Sequence, residues 1–459
     1  MRREFKVPAL AAVALLAGCG GGDGDSAPPP VTVTPPTGGT PTPTPTPPGP
    51  LPARFLVAAA GAMPSVVWLD ADGDGIFGSE RDILANTSLG GEFGQGIPPL
   101  KAQPASGTLP SAPLYPMQAR GVDAVSGLVF SGMSAPAGAT VISPLSSLVF
   151  ALGNEAGVRS ALGLDSGAEA LSPSLGLLTF DPVAGRRSAD PAVVRDAARI
   201  TSLNLQLLAV AAFAKDTNGD PVDTGVSLVD GSRYLAEVIR ATGSARLSDR
   251  AVIRQILDRT RYRFGSPPDQ LDAMASLLAK YFAVLPARID DERTARGWAL
   301  AFRFLVLAEM KTLSSQWPNP AAARIAALTG AEIEAAARFY AAAPAPMLGE
   351  LVAVPDYREL HSETNLPFQI VAGGCGAQPQ QPSCNDYEMH GGFGYAKRII
   401  SVAAGEPGTI EVFVDAAGET VTVRRLGAYV GTTWFTYTAV LPGGASATGR
   451  TYVRVKDVR

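Results

Sequence analysis

The spacing of apolar positions changes character twice along the chain, and each change predicts a different kind of element. Phe55–Ala60 and Ser65–Leu69 are short apolar runs of strand length. From Leu145 the apolar residues recur at three and four. Ser143 or Ser146 can cap a helix whose buried side begins at Leu145, Leu148 and Val149. Ala192–Lys215 carries Val194, Ile200, Leu203, Leu207, Leu208 and Ala211 at mixed helical spacing. Ser248 and Asp249 precede a helix with Ile253, Ile256 and Leu257 on one face; Pro268 and Asp269 open another with Leu271, Met274, Leu278 and Phe282. Past Pro344 and Pro346 the period becomes two. Phe368–Val371, Arg398–Val402, Thr409–Asp415, Thr420–Arg424, Thr433–Val440 and Thr451–Lys456 read as strands separated by Gly, Pro and Asp turns. The pattern predicts a multidomain α+β protein. A small N-terminal β module (53–135), sandwich-like by the resemblance described below, leads to a central α-helical bundle (136–345), then to a C-terminal antiparallel β-sandwich or barrel (350–459).

Thr294–Leu313 is apolar nearly all round, which marks the central helix of the bundle. Arg296, Arg303, Glu309 and Lys311 interrupt it, so a membrane span is rejected. A formal net charge of -4, with 17% charged residues, gives no sign of a basic nucleic-acid surface, and no nucleic-acid partner is expected. Many of the 39 prolines fall in residues 19–52, a Gly/Asp run followed by a Pro/Thr repeat. That stretch has little to bury and is expected to be an extended, disordered tether.

Residues 1–18 read as an address rather than as fold. Arg2, Arg3 and Lys6 precede the short apolar run Ala9–Ala17, which is too short to span a bilayer as a helix. Leu16-Ala17-Gly18-Cys19 resembles the lipobox of bacterial lipoproteins. The resemblance implies signal-peptide cleavage before Cys19, a diacylglycerol thioether on its sulfur, and a further acyl chain of the palmitate type on its amine. Two or three chains hold a protein firmly, because each buried methylene contributes about 0.8 kcal/mol. Gly20, rather than Asp, follows the cysteine, which by analogy implies a lipid anchor in the outer membrane, facing either the periplasm or the cell surface.

The candidate chemistry begins where the second strand ends. Asp70, Asp72 and Asp74 alternate, Gly75 follows, and Glu80 and Asp82 add more acid. This spacing gathers carboxylates round one hard cation while glycine permits the sharp turn. Calcium is the expected ion, held by the side chains of Asp70, Asp72 and Asp74 and by the Ile76 carbonyl. The twelfth position, where an acidic ligand belongs, is Arg81; either the loop is one residue longer and Asp82 closes the shell, or the site is weak. The run Leu69 to Gly75, with Thr87 and Gly91-Glu92-Phe93 after it, resembles the prealbumin-like β-sandwich modules of bacterial surface proteins, including adhesin B modules. A second loop, Asp216–Asp220, imitates the pattern but has Pro221 where glycine is needed.

Ser134-Ala135-Pro136-Ala137-Gly138-Ala139-Thr140 and Ile142-Ser143-Pro144-Leu145-Ser146-Ser147-Leu148 resemble a segment of large secreted or surface proteins of Gram-negative bacteria. There the segment follows a module of the kind just described and leads into helices. The likeness spans about 66–208 and implies a surface architecture without an activity.

Cys375 and Cys384 remain beside Cys19, and in an oxidising envelope they are expected to form a disulfide. Closing so short a loop stabilises by roughly 2.5–3 kcal/mol in the chain-entropy picture. No G-x-S-x-G elbow, H-E-x-x-H, P-loop or dinucleotide fingerprint occurs, and His361 and His390 are the only histidines. Asp386, Glu388 and His390 alternate and could share a strand face, which keeps open an extracytoplasmic, hydrolase-like enzyme with its site in the C-terminal domain. The reading that fits more of the chain is a non-enzymatic binding, adhesion or envelope-structural protein. It would be displayed from the cell envelope toward a protein or polysaccharide partner.

Overall fold

The computed structural model describes residues 54–70, 73–75, 77, 82–88, 90–94, 99–101, 115–214, 226–259, 267–315, 328–346, 351–353, 355–361, 366–369, 387–388, 398–441 and 443–457. Its class is mixed α+β, with several separate sheets, none of which closes on itself.

The first strands are β1 (Arg54–Val57), β2 (Ser65–Leu69), β3 (Ile83–Asn86), β4 (Glu92–Gly94), β5 (Pro99–Lys101), β6 (Met117–Val122), β7 (Val129–Ala135) and β8 (Val141–Ile142). In β2 the period is two: Ser65, Val67 and Leu69 are buried, while Val66 and Trp68 are half-buried. β2 lies between β3 and β6 in a six-stranded sheet of order β5-β3-β2-β6-β7-β9, in which β9 (Val226–Ser227) pairs parallel to β7. β1 lies between β4 and β8 in a second sheet, and the rings of Phe55 and Phe93 stack across it with centroids 5.2 Å apart.

The helices follow the apolar spacing. They are α1 (Pro144–Leu152), α2 (Glu155–Ala161), α3 (Pro182–Gly185), α4 (Pro191–Ala214), α5 (Leu228–Thr242), α6 (Arg250–Leu257) and α7 (Pro268–Val284). Ser143 and Ser146 together form the capping box of α1, and Gly153 closes the helix in the left-handed region. Asp249 caps α6 by accepting from the Ala251 N–H. The run expected as one central helix is α8 (Glu292–Ala301), a π-helical turn (Phe302–Val306) and α9 (Leu307–Ser315). Arg296, Arg303 and Glu309, three of the four charges that interrupt its apolar sequence, are buried. α10 (Gly330–Ala341) lies against α8, and a Cβ at Gly297 would come within 2.3 Å of the Ala337 carbonyl oxygen, so this crossing needs glycine.

These strands and helices share one core, which runs from Phe55 to Ala343 and takes in Tyr357 and Tyr452 of the C-terminal region. Polar side chains stitch it together: Asn204 Nδ2 donates to the Ala59 carbonyl at 3.1 Å, and Arg186 to the Ala60 carbonyl at 2.9 Å. Asn and Arg inside a core are costly unless their donors are used, and here each gives a donor to a backbone carbonyl next to β1.

The C-terminal region comprises β10 (Leu351–Val352), β11 (Asp356–His361), β12 (Leu366–Gln369), β13 (Tyr387–Glu388), β14 (Arg398–Ala404), β15 (Ile410–Val414), β16 (Thr420–Arg425), β17 (Gly431–Val440) and β18 (Ser446–Lys456). They form sheets of order β11-β18-β17-β14 and β12-β16-β15, with β10 and β13 paired separately. Leu360, Val453, Val455, Phe435 and Ile399 of the first sheet share a second core with Ile410, Val421 and Val423 of the other. The pairing is antiparallel except between β11 and β18, which run parallel from Asp356 opposite Thr451 to His361 opposite Lys456. β11, like the two-residue strands β10 and β13, is not announced by hydropathy alone: Asp356, Arg358 and Glu359 break the apolar pattern of its sequence.

Candidate functional site

The acidic loop leaves β2 at Asp70, whose N–H donates to the Pro116 carbonyl at 3.0 Å and whose side chain is buried. One carboxylate oxygen accepts the Gly73 N–H at 2.8 Å and the other the Gly75 N–H at 3.0 Å. Gly73 and Gly75 have φ of 73° and 75°, so both take the left-handed conformation that glycine adopts without cost. The loop thus wraps around the carboxylate of Asp70. Each oxygen retains a lone pair for a cation, which makes its chemistry compatible with calcium. Asp82 is buried at the start of β3 and Asp74 is exposed, while Asp72, Ile76 and Arg81 lie outside the described residues. Among the described residues no group of three or more His, Cys, Asp or Glu side chains is placed to hold a metal ion.

The serine-rich segment has a structural explanation. The Ser134 N–H donates to Ser147 Oγ at 2.9 Å, and Ser146 Oγ donates back to the Ser134 carbonyl at 2.8 Å. Ser147 Oγ also donates to the Ser143 carbonyl at 2.8 Å. The hydroxyls therefore pin the end of β7 to the first turn of α1 in a buried setting, where every unmet donor or acceptor is costly.

Asp123, in the turn between β6 and β7, does similar work. It is fully buried and accepts the Gly61 N–H at 2.7 Å, the Ser126 N–H at 2.8 Å and the Ser126 hydroxyl at 2.6 Å. Burial pushes its carboxyl up, against the opposing pull of the hydrogen bonds from Ser126 and Gly61 and of Arg186. Asp123→Asn keeps the size but turns an amide NH2 toward backbone donors. It is expected to lower stability by about 1–3 kcal/mol; a urea midpoint equal to the parent's would refute this role.

Buried charged and aromatic side chains also gather at the junction between the helices and the outer face of β11, β18 and β17. Tyr357, Glu359, Tyr452, Arg454 and Trp434 share that face because they are paired or alternate in register. Phe304 of the π-helical turn stacks on Tyr357 with centroids 5.4 Å apart, and Tyr340 meets Tyr452 edge-on at 4.9 Å. Arg454 Nη1 donates to Glu309 Oε1 at 2.7 Å, and Lys456 Nζ to Glu359 at 2.7 Å. Burial by itself would lower Arg454, but Tyr357 and Glu309 beside it raise it above the ordinary guanidinium range. Burial likewise raises Tyr357 and Tyr340, keeping both hydroxyls protonated. A cavity of about 300 Å³ opens here, lined among others by Phe304, Phe339, Tyr340, Thr432 and Arg454. Sequence reasoning did not single out Arg454 or Glu309 as partners; their only signal was the charge of Glu309 within an apolar helical run.

Cys19, Cys375, Cys384, Asp386 and His390, as well as the loop Asp216–Asp220, lie outside the described residues. Glu388 is placed only by its backbone, in β13 opposite Leu351. Of the C-terminal aromatics, Phe435 and Tyr437 are core, and Trp434 packs toward the helices. Among the described residues no helix is long and apolar enough to cross a membrane.

No protein-family model and no curated protein matches the chain. Among solved structures it is similar to a nucleoside hydrolase-related hypothetical protein from Saccharophagus degradans that is associated with carbohydrate metabolism. The identity is 10%, the match covers 55% of this chain and 75% of that one, and the TM-score is 0.17. A likeness at that level carries no argument about fold or activity.

Proposed function

We propose that the chain is a lipid-anchored protein of the bacterial cell envelope that acts as a non-enzymatic binding or structural component. Cys19 carries the anchor in the outer membrane, residues 19–52 form the tether, and a disulfide joins Cys375 to Cys384. The folded part comprises an N-terminal β module, a helical bundle and a C-terminal β-sandwich, and it meets a protein or polysaccharide partner. A structural calcium ion braces the first module through Asp70, Asp72, Asp74, the Ile76 carbonyl and Asp82.

The observation that carries the calcium reading is the Asp70 carboxylate, buried and wrapped by the N–H groups of Gly73 and Gly75. Such a loop positions its first ligand before any ion arrives, which lowers the ordering cost of binding. Extracellular calcium modules bind at about 10⁻⁴–10⁻³ M. Calcium at tenfold excess over such a dissociation constant is expected to stabilise the purified chain by about 1.4 kcal/mol. The melting temperature should rise in calcium, fall back with chelator, and respond little in Asp70→Ala. Superimposable melts in calcium and chelator would defeat the reading.

A further inference from the structure

A second, smaller cavity lies at the same junction on the other side of Tyr452, and its electrostatics differ from those of the first. It has a volume of about 140 Å³ and is bounded by the turn at Ser126, by α8, by the connection Ala343–Pro346, by Ala353 and Pro355, and by β17 and β18. Two arginines line it, Arg296 from α8 and Arg450 from β18. Arg296 is 8% exposed and uses its guanidinium on main chain: Nε donates to the Val125 carbonyl at 2.8 Å and Nη1 to the Ala343 carbonyl. The Arg450 guanidinium stacks over the Trp434 ring, 3.7 Å from its centroid, and its Nε is buried without a hydrogen bond. Neither arginine forms an ion pair with a carboxylate among the described residues.

Two cations facing one partly open cavity, neither in an ion pair with a carboxylate among the described residues, is an arrangement that a folded protein usually avoids. Desolvation of a charge costs several kcal/mol unless an opposite charge or good hydrogen bonds offset it. Carbonyls and an aromatic face meet part of that cost here, and they also fix both guanidinium planes. Burial lowers Arg296, against the opposing pull of Tyr452, Glu292 and Asp123. Arg296, Arg450 and Tyr452 line the same cavity, and both arginines oppose the rise that burial imposes on the Tyr452 hydroxyl. Around them the walls are mostly apolar, with Leu300, Pro344, Pro346 and Pro355, and Ser126, Thr436 and Thr448 are the polar exceptions.

We infer that this cavity is a binding site for a small organic acid, its carboxylate held by Arg296 and Arg450 and its apolar body against the proline and leucine walls. Guanidinium groups recognise carboxylates through paired N–H donors, and two of them supply more donors than one carboxylate can use. The volume is about that of four or five waters and is smaller than the roughly 300–1,000 Å³ of pockets for drug-sized ligands. A compact acid fits, and a sugar chain or a peptide does not. The mostly apolar walls favour a singly charged carboxylate over phosphate, which would lose more hydration there than the few wall hydroxyls of Ser126, Thr436 and Thr448 return. The site joins the helical part of the fold to the outer face of the C-terminal sheet, so ligand binding also braces that junction.

The test uses the full chain, with propionate as probe and propionamide, phosphate and chloride as comparators at matched ionic strength. Propionate is expected to raise the melting temperature saturably, while propionamide, the uncharged isostere, and chloride leave it unchanged. In Arg450→Gln the apparent affinity should fall at least about tenfold, the loss expected when one charged donor is removed. Arg450→Lys, which keeps the charge and the aromatic contact but loses the fork, should bind with intermediate affinity, and it serves if the glutamine variant does not fold. No shift with propionate, or an equal shift with propionamide or chloride, overturns the site. An equal response to phosphate overturns the assignment to organic acids.

Discussion

Replacing Arg454 with methionine is expected to lower the unfolding free energy by about 3–5 kcal/mol, among the largest losses any single change in this chain should produce. The cation lies 2.7 Å from Glu309, and the two side chains are only 13% and 2% exposed. At such burial the desolvation of each charge has already been met by folding, so removing the cation leaves a carboxylate in a medium that solvates it poorly. A surface pair at the same distance would contribute under about 1 kcal/mol. Arg454→Lys should lose less, since the ammonium keeps the charge but not the guanidinium geometry. Urea midpoints at constant slope measure both variants. If Arg454→Met stays within about 0.5 kcal/mol of the parent, a scatter typical of ordinary surface changes, the pair does not hold the sheet to the helices.

Phe304→Ala should cost a similar amount, about 3–5 kcal/mol, by a different route. Phe304 is fully buried and lies with its centroid 5.4 Å from Tyr357, 5.6 Å from Tyr452 and 5.8 Å from Tyr340. Truncation removes those contacts and extends the neighbouring cavity, which the surrounding rings cannot collapse into without leaving their own partners. Phe304→Leu retains most of the volume and is expected to lose less than half as much. Thermal melts of the two variants distinguish packing from a mere dependence on hydrophobicity. Equal losses for Ala and Leu would show that the aromatic geometry, rather than the filled volume, is what matters.

Both residues stand in the π-helical turn or opposite it, and that explains why they were hard to read from sequence. Thr294–Leu313 is legible as a buried helical run because its apolar residues cover every face. A run with no polar side offers no phase, however, so it does not say which residue meets which neighbour. The π-helical turn at Phe302–Val306 sets that phase by directing Phe304 at Tyr357 and Tyr452, and Glu309 lies a turn beyond it. Glu309 and Arg454 are 145 residues apart, so no local pattern connects them. β11 escaped for a related reason: Tyr357 and Leu360 face opposite cores, leaving no alternation to detect.

The acidic loop marks the opposite case. Leu69, Asp70 and Gly75 indicate a strand running into a tight acidic turn, and the Asp70 carboxylate does organise that turn through Gly73 and Gly75. The serine segment was legible as a helix start, with Ser143 and Ser146 as caps. That Ser134 is bound to Ser146 and Ser147 emerged only with the fold.

What this sequence determines by itself is local: the caps of α1 and α6, the strand span of β2, the span of α4, and the placement of helices before the C-terminal strands. Those features depend on backbone donors, side-chain period and glycine conformations within a few residues of one another. Only the tertiary structure decides that β11 runs parallel to β18, that Glu309 meets Arg454, and that Arg296 and Arg450 share one cavity. Each of those depends on which faces exclude water together, and burial is a property of the assembled layers rather than of any segment within them.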